Sequence, residues 1–405
     1  MRFCMVTTFY PPYHFGGDAT YVRALARGLV ARDHAVEVVH CTDAYRLCAN
    51  RRPALTEGEE DDVVVHGLKS RVGPLSPLFT QQTGRPAFKR RALDAILGRD
   101  FDVVHFHNVS LVGGPAVLRL SRARVTLYSL HEHWLLCPTH VFWKNNDHAC
   151  ERPTCLSCCL RSGIPPQLWR YTGMARRAVG TVDALLAPSE YTARRHREAG
   201  FGPPIHVLPL FSTLTPGQTA PARAVGRPRF LYVGRVTASK GVERLTRAFA
   251  DLPEYDLDVV GDGDARAELE RRSGDRSNIR FLGAVPQARL PALYQQANAL
   301  ILPSLAPETF GLAVVEAFAC GTPAIVHDAG GAREVVDATG AGFVYRTPEE
   351  LRSAVRRLAE DAELRLRLSA RARSGYARLY SEERHVGRYL DHIDAIGARK
   401  RATAH

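Results

Sequence analysis

The chain reads as two stretches of strand–helix alternation separated by one proline-rich break. Apolar runs at 2–8, 35–41, 102–106, 124–129 and 184–187 predict strands, with weaker runs at 63–67 and 205–208. Residues 19–31 carry apolar side chains at helical spacing. Strands that are apolar throughout, rather than at alternate positions, suit a parallel sheet covered on both faces. Segment 209–228 then holds Pro209, Pro216, Pro221 and Pro228 with Gly217 and Gly226, the composition of a linker. Beyond it, runs at 229–233, 257–260, 279–282, 299–302, 323–326 and 342–345 restart the alternation. Two such blocks predict an α/β chain of two doubly wound, Rossmann-like domains facing each other across a cleft. A ligand would lie outside the carboxyl ends of the strands. The expected boundaries are 1–208, a linker at 209–228, 229–375, and a helical segment 376–405 whose last helix turns Tyr389, Leu390 and Ile393 to one side.

A length of 405 residues is comfortable for two cores, and 45% hydrophobic with 24% charged residues is ordinary for a globular protein. No run approaches eighteen apolar residues, and the N-terminus lacks a basic region followed by a long apolar one. A cytoplasmic location is therefore expected. The net charge is +12, but the arginines are scattered in pairs such as Arg194-Arg195, Arg271-Arg272 and Arg356-Arg357. Without a compact basic block or a zinc-finger or RNP-type signature, nucleic acid is not an expected partner. The basic surface does leave room for peripheral association with the inner face of a membrane. Oligomeric state is not legible.

The most specific text is Pro303-Ser304-Leu305-Ala306-Pro307-Glu308-Thr309-Phe310-Gly311-Leu312, followed by Glu316. It sets two carboxylates eight positions apart, one in a turn after an apolar strand and one on the next helix. Gly311 falls at the loop-to-helix junction, where bare N–H groups can face an anion. Upstream, Gly234-Arg235 ends one strand, Lys240 precedes a helix, and Gly261-Asp262-Gly263 ends another strand. Glycine permits the tight turns, and the two cations suit phosphate oxygens. Together these groups fit a ligand with phosphate in its middle and hydroxyls at both ends, a nucleotide-activated sugar. In the first block, Gly16-Gly17 precedes a helix, with Asp18 as a cap or a hydroxyl contact. His105, His107 and Asn108 end one strand, and His131 ends another, followed by Glu132 and His133.

On these motifs the chain resembles the retaining glycosyltransferases of family four, which have the GT-B fold. The resemblance runs over nearly the whole chain and is most specific from 229 to 326. It implies a nucleoside-diphosphate sugar (NDP-sugar) donor in the C-terminal domain, an acceptor in the N-terminal one, and no catalytic metal or other required cofactor. It implies that Arg235 and Lys240 bind the diphosphate and that Glu308 holds donor-sugar hydroxyls. The Thr309-Phe310-Gly311-Leu312 backbone would approach sugar and phosphate, and Glu316 would take the ribose. Gly16, Gly17, Gly234 and Gly261 would line the donor. His131 matches the family's histidine near the bond that breaks, so the catalytic set would be His131, Glu308, Arg235 and Lys240. The family often has Asp after that histidine, where this chain has Glu132.

Five of the nine cysteines, Cys137, Cys150, Cys155, Cys158 and Cys159, fall within 23 positions. The two-residue spacing of Cys155 and Cys158 is common in zinc knuckles, and Cys137 and Cys150 complete a candidate set of four. Some members of the resembled family carry a similar insertion here, at 137–159. Structural zinc, an iron–sulfur cluster, redox-active thiols, a disulfide and merely buried thiols all remain open at this point. Trp134, Trp143 and Trp169 nearby suit either sugar stacking or a core. The leading expectation is a retaining transferase moving a sugar to a glycan, lipid-linked or natural-product acceptor. The alternatives are another activity of the same fold, such as a sugar-nucleotide epimerase or a phosphorylase, and a non-catalytic binding subunit. Neither donor base, sugar nor acceptor is legible.

Overall fold

The computed structural model describes residues 1–49, 62–214, 226–274 and 276–403. Much of the expected linker, 215–225, lies outside them. The chain divides into two compact units, each built on one parallel sheet.

The first unit comprises Met1–His140, Thr154–Pro209 and Glu382–His405. Its seven strands are β1 (Arg2–Val6), β2 (Ala35–Cys41), β3 (Val64–Leu68), β4 (Val103–Phe106), β5 (Val125–Ser129), β6 (Ala184–Ala187) and β7 (Ile205–Val207). They lie in the order β3-β2-β1-β4-β5-β6-β7, every pair parallel. Central strands read as unbroken apolar runs because both faces are covered. One face of the sheet sends Cys4, Val6, Val39, Val104, Phe106, Tyr128 and Leu185 into a single core. The other is closed partly by the last helix, Glu382–Thr403, which buries Val386, Tyr389, Ile393 and Ile396. Tyr389 packs against Phe3 there. This C-terminal helix belongs to the first unit although the chain reaches it last.

The second unit comprises Val141–Pro153 and Leu210–Ser381. Besides a short antiparallel pair, Trp143–Lys144 with His148–Ala149, its main sheet holds β8 (Arg229–Val233), β9 (Asp256–Val260), β10 (Ile279–Gly283), β11 (Ala299–Leu302), β12 (Ala324–His327) and β13 (Gly342–Tyr345). The order is β10-β9-β8-β11-β12-β13, again all parallel. Alternate residues go to opposite cores. Phe230, Tyr232, Leu257, Val259, Ala299 and Ile301 face one, and Leu231, Val260, Leu300, Leu302, Ala324 and Val326 face the other. In both sheets the order reverses at the first strand, so β1 with β4 and β8 with β11 flank a switch point. Crevices outside the carboxyl ends open at such points.

Candidate functional site

The second unit gathers its polar groups at the switch point between β8 and β11. After β8 the chain turns at Gly234, whose N–H donates to Val260 O at 3.0 Å. Gly261 lies against this turn with φ at +127°, and a Cβ there would stand 1.8 Å from Gly234 O. No other residue fits, which accounts for one of the expected glycines by contact alone. Arg235 stands exposed after the turn, and Tyr232 donates its hydroxyl to Arg235 O at 2.6 Å. A single helical turn, Ala238–Lys240, leads through left-handed Gly241 into the helix Val242–Ala250. A Cβ on Gly241 would stand 2.1 Å from Pro303 O, so this loop is sealed against the one after β11. Leu305 and Ala306 donate their N–H groups to Ser239 O, at 2.9 and 3.0 Å.

That contact brings together residues far apart in sequence. Lys240 Nζ donates to Glu308 Oε1 at 2.7 Å, and Ser304 Oγ donates to the same oxygen. The Glu308 backbone is held too, donating to Ala329 O and accepting from Gly331 N. Burial by itself would raise the Glu308 pKa. The Lys240 charge and hydrogen bond, the Ser304 hydroxyl and the Arg235 charge outweigh it and pull the carboxyl below its ordinary value. Gly311, with φ at +96°, starts the helix Leu312–Ala319, whose N-terminus has no side-chain cap. Phe310 is buried and packs edge-on against Tyr380, so only the backbone of this residue is presented at the loop. One turn into the helix, Glu316 Oε2 accepts from Tyr294 at 2.8 Å. Burial raises the Glu316 pKa to about 7, with Tyr294 pulling the other way.

The residues expected from 234 to 316 therefore fall on three loops, after β8, β9 and β11, and on the helix that follows the last. Thr309 and Leu312 flank the junction. Ser304 and Tyr294 were not anticipated. A serine before a loop and a tyrosine on the helix Leu290–Gln296 carry no signal of their own, because their partners are set only by folding.

In the first unit, Gly16 (φ +147°) precedes the helix that opens with Gly17. Asp18 accepts from Ala19 N at 2.9 Å and from Asn108 Nδ2 at 3.4 Å. Loss of water, then the nearby charge of Glu132, raises the Asp18 pKa to about 6. His131, just past β5, has its Nε2 2.9 Å from His107 Nδ1, with the two rings stacked. Burial lowers the His131 pKa to about 4, although Glu132 opposes the shift, so the imidazole is neutral at pH 7. His105 bonds Tyr389 and Ser129 at 2.9 and 2.8 Å and belongs to the interior. Glu132 pairs with His140 at 2.8 Å.

The cysteine segment differs from a zinc knuckle. Cys155, Cys158 and Cys159 lie on a helix, Cys155–Arg161, not in a turn. Among the described residues no group of three or more His, Cys, Asp or Glu is placed to hold a metal ion. Burial raises the Cys155 and Cys159 thiols, and the neighbouring cysteines, Cys137 and Cys158 among them, add to the shift. The expected zinc set Cys137, Cys150, Cys155 and Cys158 is thus not supported among the described residues. All three tryptophans are buried, and the Arg170 guanidinium lies 5.5 and 4.6 Å from the Trp134 and Trp169 rings. Burial brings the Arg170 pKa down to about 10.

Comparison with known proteins agrees with this architecture. Residues 15–211 match the model of Glycosyltransferase Family 4, and residues 219–375 that of Glycosyl transferases group 1. An uncharacterized glycosyltransferase of Methanocaldococcus jannaschii is 27% identical over 397 residues, 89% of this chain and 90% of that one. Sucrose-phosphate synthase of Thermosynechococcus elongatus superposes with a TM-score of 0.74 at 20% identity, covering 98% of this chain and 99% of that one. Anabaena HepE in complex with UDP and glucose superposes with a TM-score of 0.71 at 19% identity, covering 98% and 100%. The chain thus has a GT-B fold of two Rossmann-like units, with a glycosyltransferase family model matching each half.

Proposed function

We propose that this protein transfers a sugar from a nucleoside-diphosphate donor with retention of anomeric configuration. One observation carries the reading: Lys240, Glu308 and the uncapped start of the helix Leu312–Ala319 converge at the switch point of the second sheet. Such a place offers a diphosphate cations and a positive helix end. In this reading the second unit takes the donor and the first the acceptor. Arg235 and Lys240 bind the diphosphate, Glu308 the sugar hydroxyls, and Glu316 the ribose. The UDP and glucose bound by Anabaena HepE support a nucleotide-sugar donor.

The chemistry follows from charge development. The bond from the anomeric carbon to the diphosphate oxygen breaks with the electron pair leaving on the diphosphate. The acceptor oxygen forms its bond on the same face, and its proton passes to the departing oxygen. Negative charge grows on the leaving group, and positive charge on the sugar ring. Arg235, Lys240 and the helix N-terminus stabilise the first. The Glu308 carboxylate, kept ionised by its neighbours, suits the second. Neutral His131 can donate or accept a hydrogen bond on the sugar without repelling the ring's growing positive charge. No step uses a metal.

The test is release of nucleoside diphosphate from a panel of UDP, GDP, ADP and TDP sugars, preceded by thermal-shift screening of the same panel. One donor should stabilise the protein and turn over. NMR of the product should show the donor's anomeric configuration, and an inverted product would rule out front-face transfer. Absence of both stabilisation and turnover with every donor would overturn the reading.

A further inference from the structure

The first unit contains a helix built inside out. Leu75–Thr83 (LSPLFTQQT) buries its hydroxyls and exposes its large apolar residues. Ser76 and Thr80 are 1% and 2% exposed, whereas Leu75 is 64% exposed and Phe79 41%. The underside explains the inversion. Lys89 is buried beneath the helix, donating to Ser76 Oγ and pairing with Asp43 at 3.3 Å. Asp43 also accepts from the backbone and hydroxyl of Ser70, both within 2.9 Å. A buried polar network holds the helix down, so hydrophobic burial does not set its orientation. Its apolar face is left to the outside.

Neighbouring elements extend that face. Phe88, 52% exposed, packs edge-on against Phe79 with ring centroids 5.3 Å apart. Trp169 Nε1 donates to Gln81 O at 2.9 Å, which ties the turn Leu168–Thr172 to the same helix. On that turn Leu168 and Tyr171 are 65% and 62% exposed. Scattered exposed leucines are ordinary, but a contiguous set on packed elements marks an interaction surface.

The charge around the patch names its partner. Residues 63–93 carry six Lys or Arg and no carboxylate, and residues 154–182 carry four and none. Two nearby acids are already committed, Asp43 to buried Lys89 and Asp94 to Arg90 at 2.7 Å. Lys69, Arg71, Arg85 and Arg91 stand exposed in the same stretch of chain as the apolar residues. Large apolar side chains on segments whose charged residues are all basic match the boundary of an anionic bilayer, where rings and leucines enter the headgroup layer and cations meet phosphates. A second copy would set two basic segments against each other. We propose that this face, centred on Leu75, Leu78, Phe79 and Phe88, docks the protein on the surface of a membrane containing anionic lipid. No described helix is long and apolar enough to cross a membrane. The inference stands independently of the donor site.

The test is flotation of the full chain with phosphatidylcholine vesicles, with and without about a third phosphatidylglycerol. Wild type should float with the anionic vesicles, stay behind with the neutral ones, and detach as salt is raised toward ~1 M. Phe79→Ser with Phe88→Ser should lower partition at least tenfold. Arg85→Glu with Arg91→Glu should lower it further, since each cation near an anionic surface is worth roughly fivefold. These side chains are exposed, so melting temperature and nucleoside-diphosphate release in solution should not change. Phe79→Trp should blue-shift its emission on adding anionic vesicles. Failure of wild type to float at low salt would overturn the proposal, as would equal flotation by both double variants. A concentration-dependent dimer abolished by Phe79→Ser would assign the face to a second copy instead.

Discussion

Lys240 Nζ and Glu308 Oε1 lie 2.7 Å apart, joining two loops that are 68 residues distant in sequence. The contact does two things. It pairs the charge of a partly buried carboxylate at the proposed donor site, and it fixes the loop after β8 against the loop after β11. Each side chain keeps some exposure, 23% and 14%. Lys240→Met should therefore cost roughly 1–3 kcal/mol of stability, less than the ~3–5 kcal/mol of a fully buried broken pair. The double variant Lys240→Met/Glu308→Gln should recover most of that, because no charge is left unpaired. Activity should divide differently, with each single variant losing about a hundredfold in turnover and the double recovering none. Calorimetry and initial rates on the three variants check both halves. Recovery of activity in the double would assign the pair a structural role only.

Glu316 gives a pH window with a definite sign. Its pKa is raised from 4.5 to about 7 in the folded protein, so between those values the native state binds more protons than the unfolded one. Its stabilising contribution is full below 4.5 and is lost as pH rises through 7. Glu316→Gln, which can still accept from Tyr294, should match wild type at pH 4.5 and melt higher at pH 8, on the order of a few degrees. Donor affinity should run the opposite way if the ionised carboxylate takes the ribose hydroxyls. Wild-type Kd should tighten as pH rises through about 7, and Glu316→Gln should bind weakly and without that dependence. Titration calorimetry at pH 5.5, 7 and 8.5 measures it. A flat wild-type profile would remove Glu316 from the ribose.

How much of this was written in the sequence depends on what each residue answers to. Strands such as Ala35–Cys41, Ala184–Ala187, Arg229–Val233 and Gly342–Tyr345 were legible to the residue, because both faces of each sheet demand apolar side chains. The loops after β8, β9 and β11 were legible as candidate ligand loops because their glycines and charges stand at strand ends. Their closure was not. Tyr294 meets Glu316 and Ser304 meets Glu308 only after distant segments pack. The cysteine spacing is ambiguous for a physical reason: two positions three apart fit one face of a helix as well as a zinc turn. The helix Leu75–Thr83 was illegible for the opposite reason, since its inner face answers to buried Lys89 and Asp43 rather than to an apolar core.

Gly261 tests whether the loop after β8 must hold its place. An added Cβ would meet Gly234 O at 1.8 Å, and the backbone sits at φ +127°. Neither partner can yield cheaply, since both contacts are main chain. Gly261→Ala should cost about 2 kcal/mol or more from strain and contact together. It should also displace Gly234 and Arg235, so donor affinity falls even at temperatures where the protein stays folded. Gly226→Ala, with open space around it, serves as the control. Equal donor affinity in the two variants would show that the approach of Gly261 to Gly234 is not needed to place Arg235.

His107 lies behind His131, with Nδ1 2.9 Å from His131 Nε2 and the rings stacked. Burial drives both pKa values down, so the pair is neutral and one ring must donate to the other. That bond selects the His131 tautomer and leaves its other nitrogen with the complementary character. If His131 serves the donor sugar, His107 is a positioning residue. His131→Ala should lower kcat about a hundredfold, in line with loss of one preorganised group. His107→Leu should lower it about tenfold while the donor KM stays within twofold, since no ligand contact is removed. His107→Asn places an amide close to the position of Nδ1 and should restore most of the rate. If Leu and Asn at 107 behave alike while both proteins melt as wild type, the hydrogen bond does not orient His131, and its ring is held by packing alone.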